Sequence, residues 1–71
     1  MTDAEKKAFD QGYVIACCNI VNLHNDDCVA ADVFIEGSAT MKDALSWGLT
    51  EYDLRALKQM REARPRNFDN R

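Results

Sequence analysis

One short stretch of the chain brings together side chains that could bind a metal ion, namely His24, two aspartates and a cysteine within residues 24–28. A zinc site needs about four such ligands at characteristic spacings. The chain has no second histidine and no Cys-x-x-Cys pair. Asn25 and Asp26 also have a simpler role, because either can accept hydrogen bonds at the start of the helix that follows. We therefore expect no metal site.

Two adjacent cysteines, Cys17 and Cys18, are the next candidates for chemistry. A cysteine nucleophile needs a nearby base and a lowered thiol pKa, but both thiols fall in the middle of an apolar segment. The acidic residues occupy predicted helix ends and solvent-facing positions, and the three glycines form no phosphate-binding loop. The sequence therefore predicts a protein that is not an enzyme and that binds no cofactor.

The composition is that of one small globular domain. The chain has 71 residues, of which 46% are apolar and 30% charged, and a domain of this size buries only about 60% of its unfolded surface. Its stability therefore depends on a well-packed core, a partner or a second copy. We expect a single domain over residues 1–64 and a flexible tail over residues 65–71, because Pro65 should end the last helix.

Cysteine usage and hydropathy predict the location of the protein. The odd number of cysteines, two of them adjacent, and the lack of an apolar leader peptide favour reduced thiols in a cytoplasm over a disulfide framework. The longest apolar run, residues 13–18, has six residues, whereas a membrane span needs about 20. We therefore expect a cytoplasmic protein with no membrane segment.

The charges are unevenly distributed along the chain, whose net charge is −3. Residues 1–48 hold eight acidic side chains and three lysines, whereas residues 49–71 hold six basic and four acidic side chains. A general nucleic-acid-binding protein has a concentrated positive face, which this distribution does not provide. The acidic body is better suited to a basic protein partner.

The apolar residues recur at helical spacing, without the strict alternation of strands. We predict an all-α domain of four helices, at about residues 3–23, 26–36, 41–47 and 51–64. In the first helix, apolar positions cover about half of the helical wheel and predict a broad buried side: Phe9, Tyr13, Ala16, Cys17, Ile20, Val21 and Leu23. The second helix is apolar on nearly all sides, which indicates burial by a partner protein or a second copy. Gly37 is expected to end it in a left-handed conformation.

Helix-capping signals place the last two helices. Thr40 with Asp43 three residues later forms a capping-box pattern, and Thr50 with Asp53 repeats it. Gly48 lies between them and is expected to adopt a left-handed conformation. The two helices should therefore be joined by a short, well-defined turn.

This pair of helices resembles a helix-turn-helix motif over residues 44–57. Ala44 lies four residues before Gly48, and Leu54 and Leu57 lie six and nine residues after it. If the resemblance extends to function, the protein is a DNA-binding transcriptional regulator whose contacts come from Thr50, Tyr52, Arg55, Lys58 and Arg61. Acidic residues at the tip of the second helix would oppose the phosphates, so DNA binding is the alternative function.

Over its whole length the chain resembles the short acidic open reading frames found in early or accessory regions of tailed phages and prophages. The segments that carry this resemblance are residues 12–13, 16–21, 24–26, 29–33 and 49–53. The resemblance implies a phage-type inhibitor or modulator that binds a host protein or a defence complex, as anti-CRISPR proteins do. It implies no catalysis.

The sequence thus predicts a protein-binding function through apolar side chains that one small chain does not fully bury. The residues expected at this surface are Ile15, Cys18, Phe34, Trp47 and Tyr52. The partner is expected to be a host protein or a second copy in a homodimer, and both alternatives stay open at this point.

Overall fold

Residues 2–68 are described by a computed structural model, and they form four α-helices without a strand. The helices are α1 (Asp3–His24), α2 (Asp27–Glu36), α3 (Met41–Leu45) and α4 (Glu51–Ala63). The predicted all-α class and the four helices are confirmed. The largest difference is at the end of α3, which stops two residues earlier than predicted because residues 46–48 form a turn.

Local hydrogen bonds explain where α1 begins and ends. Thr2 Oγ1 accepts from the Glu5 amide at 3.2 Å, and the Thr2 amide donates to the Glu5 carboxylate at 3.0 Å. The second of these hydrogen bonds is the main reason that the pKa of Glu5 is lowered. At the other end, Asn25 is left-handed (φ 54°) and its amide donates to the Val21 carbonyl at 2.8 Å. The chain therefore turns at once into α2, which Asp26 caps.

The core lies where α1, α2 and α4 pack against one another. Its larger side chains are each 1% exposed or less: Val14, Phe34, Leu57, Met60 and Phe68. Small buried residues occupy the rest of the core and let the helices approach closely: Cys17, Cys18, Ala30, Ala31, Ala44 and Ala56.

The chain after α4 contributes to the core, which places the end of the domain beyond the predicted residue 64. The ring of Phe68 stacks on Phe34, with centroids 4.3 Å apart and an interplanar angle of 14°. Arg64 holds the start of this segment, because its Nε donates to Asp32 Oδ1 at 2.9 Å. A single phenylalanine among polar neighbours has no periodic pattern, so the sequence did not predict its burial. The rest of the predicted tail, residues 69–71, lies outside the described residues.

The end of α2 differs from the prediction for Gly37. This glycine is extended (φ −79°, ψ 176°) rather than left-handed, so its backbone conformation would suit any residue. Its small size is needed instead, because a Cβ atom there would lie 2.6 Å from Cε1 of Tyr13. The hydroxyl group of Tyr13 holds the ring in this position by donating to the Val33 carbonyl at 2.6 Å. Gly37 therefore allows α1 and the end of α2 to approach closely.

Candidate protein-binding surface

Local hydrogen bonds define the start of α3 and the turn that joins α3 to α4. Thr40 Oγ1 accepts from the Asp43 amide at 3.1 Å and the Thr40 amide donates to the Asp43 carboxylate at 3.0 Å. The predicted capping box is therefore confirmed, and the hydrogen bond from the Thr40 amide is the main reason that the pKa of Asp43 is lowered. The box predicted at Thr50 is only half formed: Thr50 Oγ1 accepts from the Asp53 amide at 3.3 Å, without the return bond to the Thr50 amide. Gly48 has the predicted left-handed φ of 70°. These local interactions give the turn a defined geometry.

Apolar side chains surround this turn. Leu45 at the end of α3 is 55% exposed, and Tyr52 in the first turn of α4 is 58% exposed. Trp47, between them in sequence, is partly buried against the core and forms one wall of an open depression of about 220 Å³, whose other walls are charged side chains of α1 and Asp43. Tyrosine and tryptophan are among the side chains that most often dominate the binding energy of protein interfaces.

α1 adds one more exposed apolar residue to this region. The Cys18 thiol lies 3.6 Å from the Asp53 carbonyl oxygen, which places the first turn of α4 beside the middle of α1. Ile15, one helical turn before Cys18, is 38% exposed. We name four residues the junction surface: Ile15, Leu45, Trp47 and Tyr52. Three of the five residues predicted for protein binding, Ile15, Trp47 and Tyr52, are thus at least partly exposed.

The other two residues predicted for the binding surface, Cys18 and Phe34, are buried. Cys18 is fully covered where α1 meets α4, and burial raises the pKa of its thiol to about 12. Phe34 is covered by the ring of Phe68. Their assignment to the surface was wrong, because apolar residues extend around most of α1 and α2 and their spacing does not show which of them face inward.

A second exposed apolar region lies on α1, on the side away from the core. The buried side of α1 is narrow: Asp10, Val14, Cys17, Cys18 and Val21. We name the opposite side the outer face: Phe9, Gly12, Ala16, Asn19 and Leu23, all exposed. Phe9 is 59% and Leu23 72% exposed, and Ala16 between them is exposed as well. The predicted place of these three residues on the buried side was wrong. The sequence does contain a pattern that could have shown this, because Phe9, Ala16 and Leu23 recur every seven residues and therefore share one side of the helix.

Asp10 is the one charged side chain that is buried among the described residues. Lys6 Nζ and Ser38 Oγ each donate to its carboxylate at 2.6 Å. The hydrogen bond from Lys6 and then that from Ser38 lower the pKa of Asp10. Because both carboxylate oxygens are engaged, we assign Asp10 a structural role, which is to hold the α2–α3 connection against α1.

The residues predicted to contact DNA lie on α4 or immediately before it: Thr50, Tyr52, Arg55, Lys58 and Arg61. Arg55 and Lys58 are exposed on one side of the helix, whereas Arg61 is partly buried. The same exposed side carries Glu51 and Glu62. The two acidic and two basic side chains there balance in charge, and this side lacks the excess of positive charge that attracts a phosphate backbone.

Two other kinds of site are not found in the described part of the chain. Within residues 2–68, no three histidine, cysteine, aspartate or glutamate side chains come close enough together to hold a metal ion. None of the helices described combines the length and the apolar composition that crossing a membrane requires. In comparisons with protein-family models, with curated proteins and with solved structures, nothing matched this chain.

Proposed function

We propose that the protein is a non-catalytic binding module whose junction surface docks onto another protein. The observation that carries the proposal is that Leu45 and Tyr52 are each more than half exposed on either side of a turn held by the left-handed Gly48 and the Thr50 cap. A surface whose backbone is already ordered loses little conformational entropy on binding. Tyr52 and Trp47 offer a partner large contact areas with few rotatable bonds.

The charges around the junction surface define the chemistry of the partner. Asp43 lies in the first turn of α3, and Glu51 and Asp53 lie in the first turn of α4. The pKa of Asp43 is lowered by its cap hydrogen bonds, so its carboxylate stays charged at neutral pH. Lys6 and Lys7 line the depression beside Trp47, so the rim carries charges of both signs there. The junction surface therefore fits a protein whose binding site has an apolar centre with complementary charges of both signs around it.

The proposed setting follows from the resemblance to short phage and prophage open reading frames. In this setting the partner is a host protein, and binding inhibits or redirects it without chemical change. A component of a defence complex, such as a CRISPR surveillance complex, is one target of this kind.

The test compares three baits that differ only at the surface. Lysate of a candidate host is passed over the wild-type protein, over Leu45→Ser/Tyr52→Ser and over Val29→Ser, which changes a 48% exposed residue of α2. We expect the wild type and Val29→Ser to retain one host protein that the double variant loses. That host protein, once purified, should bind the wild type stoichiometrically in calorimetry. Equal retention by all three baits, or retention by none, would contradict the proposal.

Binding of duplex DNA is the alternative, and it involves the exposed side chains of Arg55 and Lys58. If the junction surface is the binding site, duplex DNA should not bind at physiological salt, and Arg55→Ala/Lys58→Ala should still retain the host protein. Nanomolar binding of a specific duplex would show that DNA binding is the function instead, provided that Arg55→Ala/Lys58→Ala weakens the binding and lowers its salt dependence.

A further inference from the structure

The open depression beside Trp47 lies where the first half of α1 meets α3 and the turn after it. Its volume is about 220 Å³, and six side chains line it: Asp3, Lys6, Lys7, Asp10, Asp43 and Trp47. Because Trp47 also belongs to the junction surface, a partner docked on that surface lies next to the depression. The lining side chains that have no partner within the chain determine what the depression can bind.

Lys6 and Asp10 neutralise each other within the depression. Lys6 Nζ donates to Asp10 Oδ2 at 2.6 Å, and Ser38 Oγ donates to the other carboxylate oxygen, also at 2.6 Å. The pKa of Lys6 is raised mainly by its hydrogen bond to Asp10, and the charges of Asp43 and Asp3 raise it further. Both of these other carboxylates therefore lie close enough to act on the ammonium group of Lys6.

Asp3 and Asp43 remain charged without a cation of their own. Among residues 2–68, neither carboxylate lies within ion-pair distance of a basic side chain. Asp43 Oδ2 accepts from the Thr40 amide at 3.0 Å, which leaves Oδ1 for a ligand. Of the two lysines that line the depression, only Lys7 is free of an ion pair in the described part of the chain. Two free carboxylates and one free ammonium group favour a cationic ligand over an anionic one.

Trp47 adds a flat aromatic surface to these charges. Its side chain packs against the core, so the indole ring is held in place before a ligand arrives. A cation gains more over the face of tryptophan than over any other aromatic ring. A guanidinium group stacks on such a ring, is less strongly hydrated than an ammonium group and pairs with a carboxylate through two parallel hydrogen bonds. The depression therefore favours arginine over lysine.

We infer that the depression binds an arginine side chain of the protein that docks on the junction surface, with the guanidinium group against Trp47 and paired with Asp3 and Asp43. The inference rests on the proposed function, because docking on the junction surface is what brings the arginine to the depression. A metal ion is a poorer occupant, since no three ligating side chains of residues 2–68 come close enough together to hold one. Arginine is also among the residues that most often dominate the binding energy of protein interfaces.

N-acetyl-arginine amide is the probe of this site in the isolated protein. Trp47 is the single tryptophan of the chain, so its fluorescence and its indole N–H resonance report binding in the depression. We expect saturable binding with a dissociation constant on the order of 10 mM, as suits one side chain at an open site. At equal ionic strength, uncharged N-acetyl-citrulline amide should not bind, and N-acetyl-lysine amide should bind several-fold more weakly. No saturable response to the arginine probe, or equal responses to all three, would overturn the inference.

Asp3→Asn/Asp43→Asn removes both free charges and nearly preserves the shape of the side chains. The dissociation constant of the arginine probe should rise on the order of tenfold. The control Asp27→Asn/Glu62→Gln makes the same change in net charge at positions that do not line the depression, and it should bind the probe as the wild type does. An unchanged constant in the first variant, or an equal rise in both, would contradict the inference. Melting temperatures verify that both variants fold.

Lys7→Ala distinguishes a cationic from an anionic ligand. It removes the one free cation that opposes the guanidinium group, so the dissociation constant of the arginine probe should fall about two- to fivefold. Inorganic phosphate should not bind the wild type. Binding of phosphate that Lys7→Ala abolishes would assign the depression to an anion and overturn the inference.

Retention of a host protein separates this inference from the proposed function. The Asp3→Asn/Asp43→Asn bait should retain much less of the host protein than the wild type, whereas Asp27→Asn/Glu62→Gln should retain it fully. Retention that the first variant leaves unchanged would exclude the arginine contact and leave the docking function in place. If the wild type retains no host protein, the proposed function fails, whereas the probe titrations of the isolated protein still decide whether the depression is an arginine site.

Discussion

The two connections that flank α3 both contain a glycine, but they are held in different ways. Between α2 and α3, Gly37 lies against the ring of Tyr13 and Ser38 donates to the buried carboxylate of Asp10. Between α3 and α4, Gly48 is left-handed, and a Cβ atom there would meet nothing within 4 Å. Distant residues of α1 therefore hold the first connection, whereas its own backbone conformation and the Thr50 cap of α4 hold the second.

This difference determines which substitutions each connection tolerates. At Gly37 there is no room for a larger side chain, although the extended backbone there would accept one. Backbone geometry disfavours a larger residue at Gly48, although there is room for its side chain. Substitutions of α1 should therefore change the response of the first connection and leave the second unaffected.

The largest effect is expected for Gly37→Val, which should lower the free energy of unfolding by about 3 kcal/mol. Its Cβ atom alone would lie 2.6 Å from the Tyr13 ring, which cannot swing away without losing its hydrogen bond to Val33. In a domain with roughly 3–5 kcal/mol of stability, this change approaches unfolding. Chemical denaturation measures the penalty in the wild-type and Tyr13→Leu backgrounds. A penalty that Tyr13→Leu does not reduce would show that contact with the ring is not its cause.

Gly48→Val should cost on the order of 1–3 kcal/mol, because valine would be forced into a left-handed conformation. Gly48→Asn is the matched control and should cost less, since asparagine adopts that conformation more readily. Thermal melts compare the two variants. The stability cost of Gly48→Val should be the same in the Tyr13→Leu background. An unchanged melting midpoint for Gly48→Val would mean that the left-handed turn is not formed.

Asp10→Asn should cost about 1.5 kcal/mol at neutral pH, because it removes a charged hydrogen bond acceptor. The pKa of Asp10 is lowered in the folded state, so its contribution is present above the ordinary aspartate value of about 3.9 and is lost as the pH falls through the lowered pKa. Denaturation of both proteins between about pH 7 and pH 2 should show the difference closing at the acid end. A difference that persists there would contradict the role of the ionised carboxylate.

The smallest effect is expected for Thr50→Ala, about 1 kcal/mol through loss of the α4 cap. Thr50→Ser keeps the hydroxyl group and serves as the control. If the two connections are held independently, the costs of Thr50→Ala and Asp10→Asn should add in the double variant. A departure from additivity beyond about 0.5 kcal/mol would show that the connections are coupled.

Local sequence was enough to predict the helices and the turn that carries most of the junction surface. The capping box at Thr40, the cap at Thr50 and the left-handed Gly48 all depend on residues no more than a few positions apart. Such interactions form within one helical turn, so residue type and spacing identify them directly.

Long-range packing was not predictable in the same way. Asp10 and Ser38 are 28 residues apart, and Phe34 and Phe68 are 34 apart. Which side of a helix faces inward depends on where its neighbours pack, and the apolar residues of α1 and α2 cover too much of each helix for spacing to decide. For this reason Cys18 and Phe34 were assigned to the surface and Leu23 to the core.

The positions of the three cysteines make thiol labelling a measure of how the domain opens. Cys28 is exposed, whereas Cys17 and Cys18 are buried, and burial raises the pKa values of the two buried thiols to about 11 and 12. The reactive thiolate is therefore scarce at both buried positions at neutral pH until the helices separate. Labelling at Cys28 follows solvent access, and labelling at Cys17 and Cys18 follows transient opening of the core. Labelling of Cys28 therefore serves as the reference, and labelling of Cys17 and Cys18 reports how readily the core opens.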